Sequence, residues 1–162
     1  MQWFRQVDRD NSGYLDVFEL QRALGLGNIN FSQKTVRALM RLYDPANSGQ
    51  INMRQYESMH VFLSNVTQAF RRFDSNGDGT LSREEVKQAL ACANYRLEAP
   101  AFNKLFESFD PDSSNSFNLT EFLGMTIFLQ SLSSTFGAFD QAKTGRITLT
   151  FDQAVYFCSS VL

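Results

Sequence analysis

Asp74-Ser75-Asn76-Gly77-Asp78-Gly79-Thr80-Leu81-Ser82-Arg83-Glu84-Glu85 sets oxygen-bearing residues at its alternate positions, a glycine at the sixth and a glutamate at the twelfth. That ladder suits Ca2+, a hard cation that collects six to eight oxygens from positions 1, 3, 5, 7, 9 and 12 of a loop between two helices. Asp74, Asn76 and Asp78 would ligate by side chain and Thr80 by its carbonyl. Ser82 would act directly or through a water, and Glu85 would close the shell with both carboxylate oxygens. Gly79 stands where the chain must turn sharply, at a site that favours a residue without a Cβ. The stretch satisfies D-x-[DN]-x-[DN]-G-x5-E throughout. A solvated acidic turn would account for the charge, but not for the order of oxygens, the glycine and the apolar Leu81 together.

Outward from this stretch the chain repeats. Aspartates 8, 44, 74, 110 and 140 open five similar loops, separated by 36, 30, 36 and 30 residues. Four residues before each loop stand Phe4, Met40, Phe70, Phe106 and Phe136, and immediately before it Val7, Tyr43, Phe73, Phe109 and Phe139. The eighth loop position holds Leu15, Ile51, Leu81, Phe117 and Ile147. All of these are apolar or aromatic, so the repeat is structural even where ligands fail. The first two sets share a face of an incoming helix, and the third can form a short antiparallel bridge with a neighbouring loop. Hands are therefore expected to work in pairs. Tyr56 to Phe73 contains neither Gly nor Pro, which predicts one continuous helix of about 27 Å joining loops two and three. Phe122 to Phe139 is the matching bridge between loops four and five, weakened by Gly124 and Gly137. The longer connections break, one at Gly25-Leu26-Gly27-Asn28 with Ser32 as the next N-cap, the other at Asn94 and Pro100.

The first loop, residues 8–19, offers Asp8, Asp10, Ser12, the Tyr14 carbonyl and Glu19, with Asp16 at position 9 as a further or water-mediated ligand. It is expected to bind Ca2+ beside the third, residues 74–85. The second, 44–55, has Ala46 and Gln55 at positions 3 and 12; losing the bidentate carboxylate removes charge and two oxygens, so no useful affinity is expected. The fourth, 110–121, has Asp110, Asp112, Ser114, Ser116, Asn118 and Glu121, but Asn115 replaces the glycine and weak binding is expected. The fifth, 140–151, has Ala142, Thr144 and Phe151 at positions 3, 5 and 12 and reads as a structural hand.

A chain of 162 residues with sixteen Phe and a net charge of −2 fits one domain or two closely packed lobes with a phenylalanine-rich core. That balance points away from nucleic acid and from direct attraction to anionic membranes. Arg5, Asp8, Arg9 and Asp10 interrupt the N-terminal stretch, so no secretory signal is expected there. The uncharged run between Glu121 and Asp140 holds enough Ser, Thr and Gln to favour a buried helix over a membrane span. Cys92 and Cys158, far apart in small or apolar settings, read as reduced, buried thiols. His60, the Arg71-Arg72 pair and the methionines 40, 53, 59 and 125 read as surface or core residues. No nucleophile constellation marks an enzyme.

Five hands at these spacings resemble the penta-EF-hand family over the whole of residues 1–162. An unshortened first loop, strong first and third loops, and the runs Ala89-Leu90, Tyr95-Arg96-Leu97, Leu129-Gln130-Ser131-Leu132 and Val155-Tyr156-Phe157-Cys158 are similar to the subgroup of programmed cell death protein 6. The resemblance implies an all-α domain of about eight helices, with shared helices joining hands 2–3 and 4–5 and the odd fifth hand pairing with a second subunit as a homodimer or heterodimer. It implies a cytoplasmic, non-enzymatic Ca2+ sensor and adaptor for proline-rich segments of trafficking or membrane-repair proteins. The nucleus and endomembranes are further settings, and membrane association would be indirect or calcium-dependent. Arg96 falls where the family has an arginine that repositions on calcium binding. A regulatory subunit or domain of a calpain-like protease and a passive calcium buffer are the alternatives.

Overall fold

The computed structural model describes residues 2–161, and the side chains of Gln2, Trp3 and Arg5 are left aside. The helix expected to enter the first loop, Met1 to Val7, is described from Gln2 onward; Met1 lies outside the described residues. In chain order the elements are α1 (Gln2–Val7), β1 (Tyr14–Leu15), α2 (Val17–Leu26), α3 (Gln33–Arg41), β2 (Ile51–Asn52) and α4 (Met53–Phe73). They continue with β3 (Leu81–Ser82), α5 (Arg83–Cys92), α6 (Ala99–Phe109), β4 (Ser116–Phe117), α7 (Leu119–Phe139) and α8 (Phe151–Val161). Helices dominate, and the strands are bridges of two residues each.

Those bridges pair the loops. β1 and β2 run antiparallel with Leu15 opposite Ile51, and β3 and β4 likewise with Leu81 opposite Phe117. All four of these eighth-position side chains are fully buried, so each bridge joins two loops and plugs the core beneath them. Ile147, the equivalent in the fifth loop, is half-buried and belongs to no strand.

Both long connections are single helices of 21 residues. α4 starts on an Asn52–Gln55 capping box and runs without Gly or Pro to Asp74. α7 starts on an Asn118–Glu121 box and tolerates both glycines. Gly124 lies against the Phe109 ring, where a Cβ would sit 3.7 Å away in ordinary contact. The two helices meet where the Phe70 and Phe122 rings stand 5.8 Å apart, and one hydrophobic cluster runs through both loop pairs. The breaks fall at the expected places: Ser32 caps α3 by accepting from the Thr35 amide, Asn94 adopts a left-handed φ of 66°, and Pro100 sits in the first turn of α6.

Two expectations are corrected. α7 is long and apolar enough by composition to cross a bilayer, but only its first half is buried: Phe122, Leu123, Met125, Ile127 and Leu129 are in the core, whereas Gln130 to Phe139 are half-buried or exposed. Its second half packs on α8, with the Phe139 and Phe157 rings 5.7 Å apart; α8 also buries Val161 but leaves Phe151, Val155 and Tyr156 exposed. Both cysteines are also exposed. α5 buries Val86, Ala89 and Leu90, a face that Cys92 lies off by helical periodicity, and Cys158 rides on the uncovered α8. Met40, Met59 and Met125 do fill the core, and His60 is at the surface.

Candidate metal centre

Every loop begins with the same backbone device. Position 4 (Asn11, Asn47, Gly77, Ser113, Lys143) and position 6 (Gly13, Gly49, Gly79, Asn115, Gly145) have positive φ. The position-6 amide then folds back onto the first aspartate in each loop. Asn115 adopts φ 61°, so asparagine makes the turn that glycine makes elsewhere, as its tolerance of the left-handed region allows.

In the first loop the carboxylates converge. Asp8, Asp10 and Glu19 each offer an oxygen within 4.8 Å of the others, the one such group of acidic, His or Cys ligands among the described residues. Asp8 is buried and is positioned by the Ser12 and Gly13 amides at 3.0 Å. The Ser12 amide also reaches Asp10 at 3.0 Å, and hydrogen bonding from Ser12 holds the Asp10 carboxyl below its ordinary range. The Ser12 hydroxyl lies 3.1 Å from the Tyr14 carbonyl, so these two expected ligands are adjacent. Asp16 caps α2, accepting from the Phe18 and Glu19 amides at 2.8 Å. Glu19 receives the Arg9 amide on one oxygen at 2.8 Å and the Asp16 amide on the other at 3.2 Å.

The third loop has the better motif but is tied to itself. Asp78 accepts from the Thr80 amide and hydroxyl on one oxygen, at 2.7 and 2.8 Å, and from the Asn76 amide group on the other, at 2.7 Å. Its carboxyl is held low, chiefly by the Thr80 hydroxyl. Glu85 accepts the Ser75 amide and hydroxyl on Oε1, at 3.1 and 2.5 Å, and the Ser82 amide and hydroxyl on Oε2, both at 2.9 Å. The Ser75 hydroxyl is the largest contributor to a Glu85 pKa lowered to about 2. One oxygen stands apart: Asp74 Oδ1 is buried with no hydrogen-bond partner. A buried, unpaired carboxylate oxygen is costly, and a cation in the loop would satisfy it. The all-oxygen donor set of both loops fits Ca2+.

The fourth loop repeats the contacts of the first. The Ser114 amide reaches Asp110 and Asp112 at 3.0 Å, the Asn115 amide reaches Asp110 at 2.9 Å, and the Ser114 hydroxyl donates to the Ser116 carbonyl at 2.9 Å. Position 2 is Pro111, which has no N–H to offer Glu121; the Asn118 amide at 2.8 Å serves its Oε2. Burial, with the negative charges of Asp112 and Asp110, pushes the Glu121 carboxyl up. In the second loop Ser48 donates to both oxygens of buried Asp44 at 3.1 Å, and Gln55 serves only as a helix-capping partner. In the fifth, position 12 is the exposed Phe151 and the capping pair is Thr150–Gln153.

The motif gives no notice of Ser75, because position 2 of the loop is not a ligand. Comparing that position across loops (Arg9, Pro45, Ser75, Pro111, Gln141) would have singled it out as the one hydroxyl. Arg96 is exposed in the segment between α5 and α6. Its neighbour Leu97 lines an apolar hollow of ≈700 Å3 with Ala38 of α3, Leu105 and Phe109 of α6, Phe128 of α7 and Val161 of α8.

The EF-hand domain pair family matches residues 1–59 and 64–127. Human peflin is 32% identical over 161 residues, 98% of this chain and 56% of that protein. The penta-EF hand domain-containing protein 2 of Dictyostelium discoideum is 30% identical over 151 residues, 93% of this chain and 73% of that protein. Among solved structures, a homolog of programmed cell death 6 protein from Leishmania major Friedlin has a TM-score of 0.73 at 34% identity, covering 100% of this chain and 93% of that one. The chain spans little more than half the length of the human, zebrafish and mouse peflins it matches.

Proposed function

The chain belongs to the penta-EF-hand family of calcium-binding proteins, and from that premise we propose that it is a Ca2+ sensor and adaptor. Ca2+ enters loops one and three, and an apolar hollow takes a proline-rich segment of a partner. The observation that carries this reading is the pair of unspent features in those loops: the three gathered carboxylates of loop one and the unpartnered Asp74 oxygen of loop three. Asp8, Asp10, Ser12, Glu19 and the Tyr14 carbonyl hold one ion, with Asp16 beyond them. Asp74, Asn76, Asp78, Glu85 and the Thr80 carbonyl hold the other, with Ser82 beyond. Asp110, Asp112, Ser114, Ser116 and Glu121 form a weaker site. The ion supplies positive charge at the loop centre; the chain's own part is to swing Glu85, and with it the start of α5, toward that charge.

The hollow beside Leu97 supports the adaptor half of the reading. It is rimmed by Lys34 and Lys104 and floored by Leu105, Phe109 and Phe128, a surface suited to the rings of an extended, preordered proline segment. Arg96 is one residue from its wall, so a shift of the α5–α6 segment would reshape the opening. The role is a binding one, set in the cytoplasm.

We further assign the fifth hand to subunit pairing. A compact chain of 18.5 kDa exposes about 8,200 Å2, whereas this one exposes 10380 Å2. The surplus is more than one side of a standard interface, roughly 800 Å2. Of the large hydrophobic side chains left exposed, Phe151, Val155 and Tyr156 all lie on α8, which follows the half-buried Ile147, while Tyr14, Phe18, Leu26 and Val61 lie in the N-terminal half.

Calorimetric Ca2+ titration of the wild type, Glu19→Ala and Glu85→Ala, followed by capture on proline-rich peptides, tests the sensor. Each variant should lose one ion, and Glu85→Ala should lose capture. Full stoichiometry and capture in Glu85→Ala would refute the reading, and binding with no new apolar surface on dye assay would make the protein a buffer. Sedimentation of Tyr156→Asp should give a monomer where the wild type gives a dimer.

A further inference from the structure

The glutamates that close loops one, three and four differ in how many donors they already hold. Glu121 receives one, from Asn118; Glu19 receives two, both backbone amides; Glu85 receives four, the amides and hydroxyls of Ser75 and Ser82. An ionised carboxylate has about four lone-pair sites. Glu19 therefore keeps two for an ion while bonded to its loop, one on each oxygen, as bidentate coordination requires. Glu85 keeps none.

The amide bonds have counterparts in loop one, where the Arg9 and Asp16 amides hold Glu19. The surplus in loop three is the two hydroxyls. Ser82, at position 9, has a second task as the N-cap of α5 and a place beside the ion. Ser75, at position 2, has no place in the shell, and its 2.5 Å contact is the shortest that Glu85 makes. We propose that the Ser75 hydroxyl is a latch: it occupies the Glu85 lone pair that Ca2+ must take, and so sets the affinity of loop three below what its ligands would give. Ser75 is a positioning residue acting through Glu85. The inference rests on loop three being a Ca2+ site.

The latch also discriminates between ions. Ca2+ takes both oxygens of the twelfth-position glutamate, whereas Mg2+, held to six short bonds in octahedral geometry, has room for one. Mg2+ can use Oε2, on the side of Ser82 and the ion, by displacing the Ser82 hydroxyl, and leave the Ser75 bond on Oε1 intact. Removing the hydroxyl therefore favours Ca2+ over Mg2+, an effect that general loosening of the loop would not produce.

The test uses the full chain, 15N-labelled, in chelator-buffered Ca2+ and separately in Mg2+, following the Gly79 amide for loop three and the Gly13 amide for loop one. Hydrogen bonds to charged groups are among the stronger ones, but Ser75 and Glu85 lie at the surface, which keeps the effect of this one modest. Ser75→Ala should tighten Ca2+ at loop three by about five- to tenfold, leave Mg2+ there and Ca2+ at loop one unchanged, and Ser75→Thr should restore the wild-type value. Unchanged or weaker Ca2+ binding in Ser75→Ala, or equal gains for Ca2+ and Mg2+, would overturn the latch. Glu85→Gln separates the two layers. If it abolishes the Gly79 response while Ser75→Ala changes nothing, only the latch is lost; if the Gly79 response survives it, the site reading falls as well.

Discussion

Loops one and three close on the same type of glutamate, each built into a capping box at the start of a helix, yet they stand in different states of readiness. Loop one has gathered three carboxylates into one small volume and holds them with backbone amides. Loop three spends its carboxylates on its own hydroxyls and amide groups, leaving one buried aspartate oxygen unpaired. Three negative groups at such range repel one another in loop one, and an ion relieves that repulsion. Loop three avoids repulsion by internal hydrogen bonding and must give those bonds up. A ligand set and its availability are thus separate properties.

The largest change available to this comparison is removal of the closing glutamate. Glu19→Gln and Glu85→Gln should each weaken their own loop on the order of a hundredfold or more, since a charge is lost and bidentate binding with it, read by calorimetry; cross-effects larger than direct ones would break the picture of two separate sites. Next comes Ser12→Ala, which removes the hydroxyl beside the Tyr14 carbonyl and should cost loop one about tenfold without touching loop three. Pro111→Ala restores an amide at position 2 of loop four. It should tighten Ca2+ there by about two- to fivefold, so that loop four approaches loop one, read as a third binding event. The smallest effect concerns Glu121, whose carboxyl is raised by burial and by its acidic neighbours. A raised acid adds stability below its unfolded pKa and loses that stability as pH rises through the folded value. At neutral pH without metal the ionised group is therefore a burden, and Glu121→Gln should raise the melting temperature by about 1–2 °C there and by nothing near pH 4.

Much of this was legible in the sequence because the repeat is written in apolar residues. Phe4, Met40, Phe70 and Phe106 are all buried, and the eighth-position pairs Leu15–Ile51 and Leu81–Phe117 form the bridges expected of them. What the letters left out is what covers a face. Phe136, Phe139 and Ile147 obey the same pattern, yet they lie half-buried in a hand whose loop forms no bridge among the described residues. The ligands of loop three match the motif, while their saturation depends on Ser75, a residue to which the motif assigns no role. The cysteines show the same limit at the scale of one side chain: small, apolar sequence neighbours describe the strand of text around Cys92, not the face of α5 it occupies.

α4 is an unbroken rod of 21 residues, about 31 Å long, with loop three at its C-terminal end and loop two at its start. Rods convert small angles into large strokes. A tilt of about 10° at the Phe73 end would carry the Met53 end through about 5 Å, more than the spacing between the strands of the bridge that joins loop two to loop one. Ile51 is locked opposite Leu15, so the bridge would have to travel with the rod rather than stretch. A tilt at the third loop would therefore reach the N-terminal pair of hands magnified by the length of the helix between them.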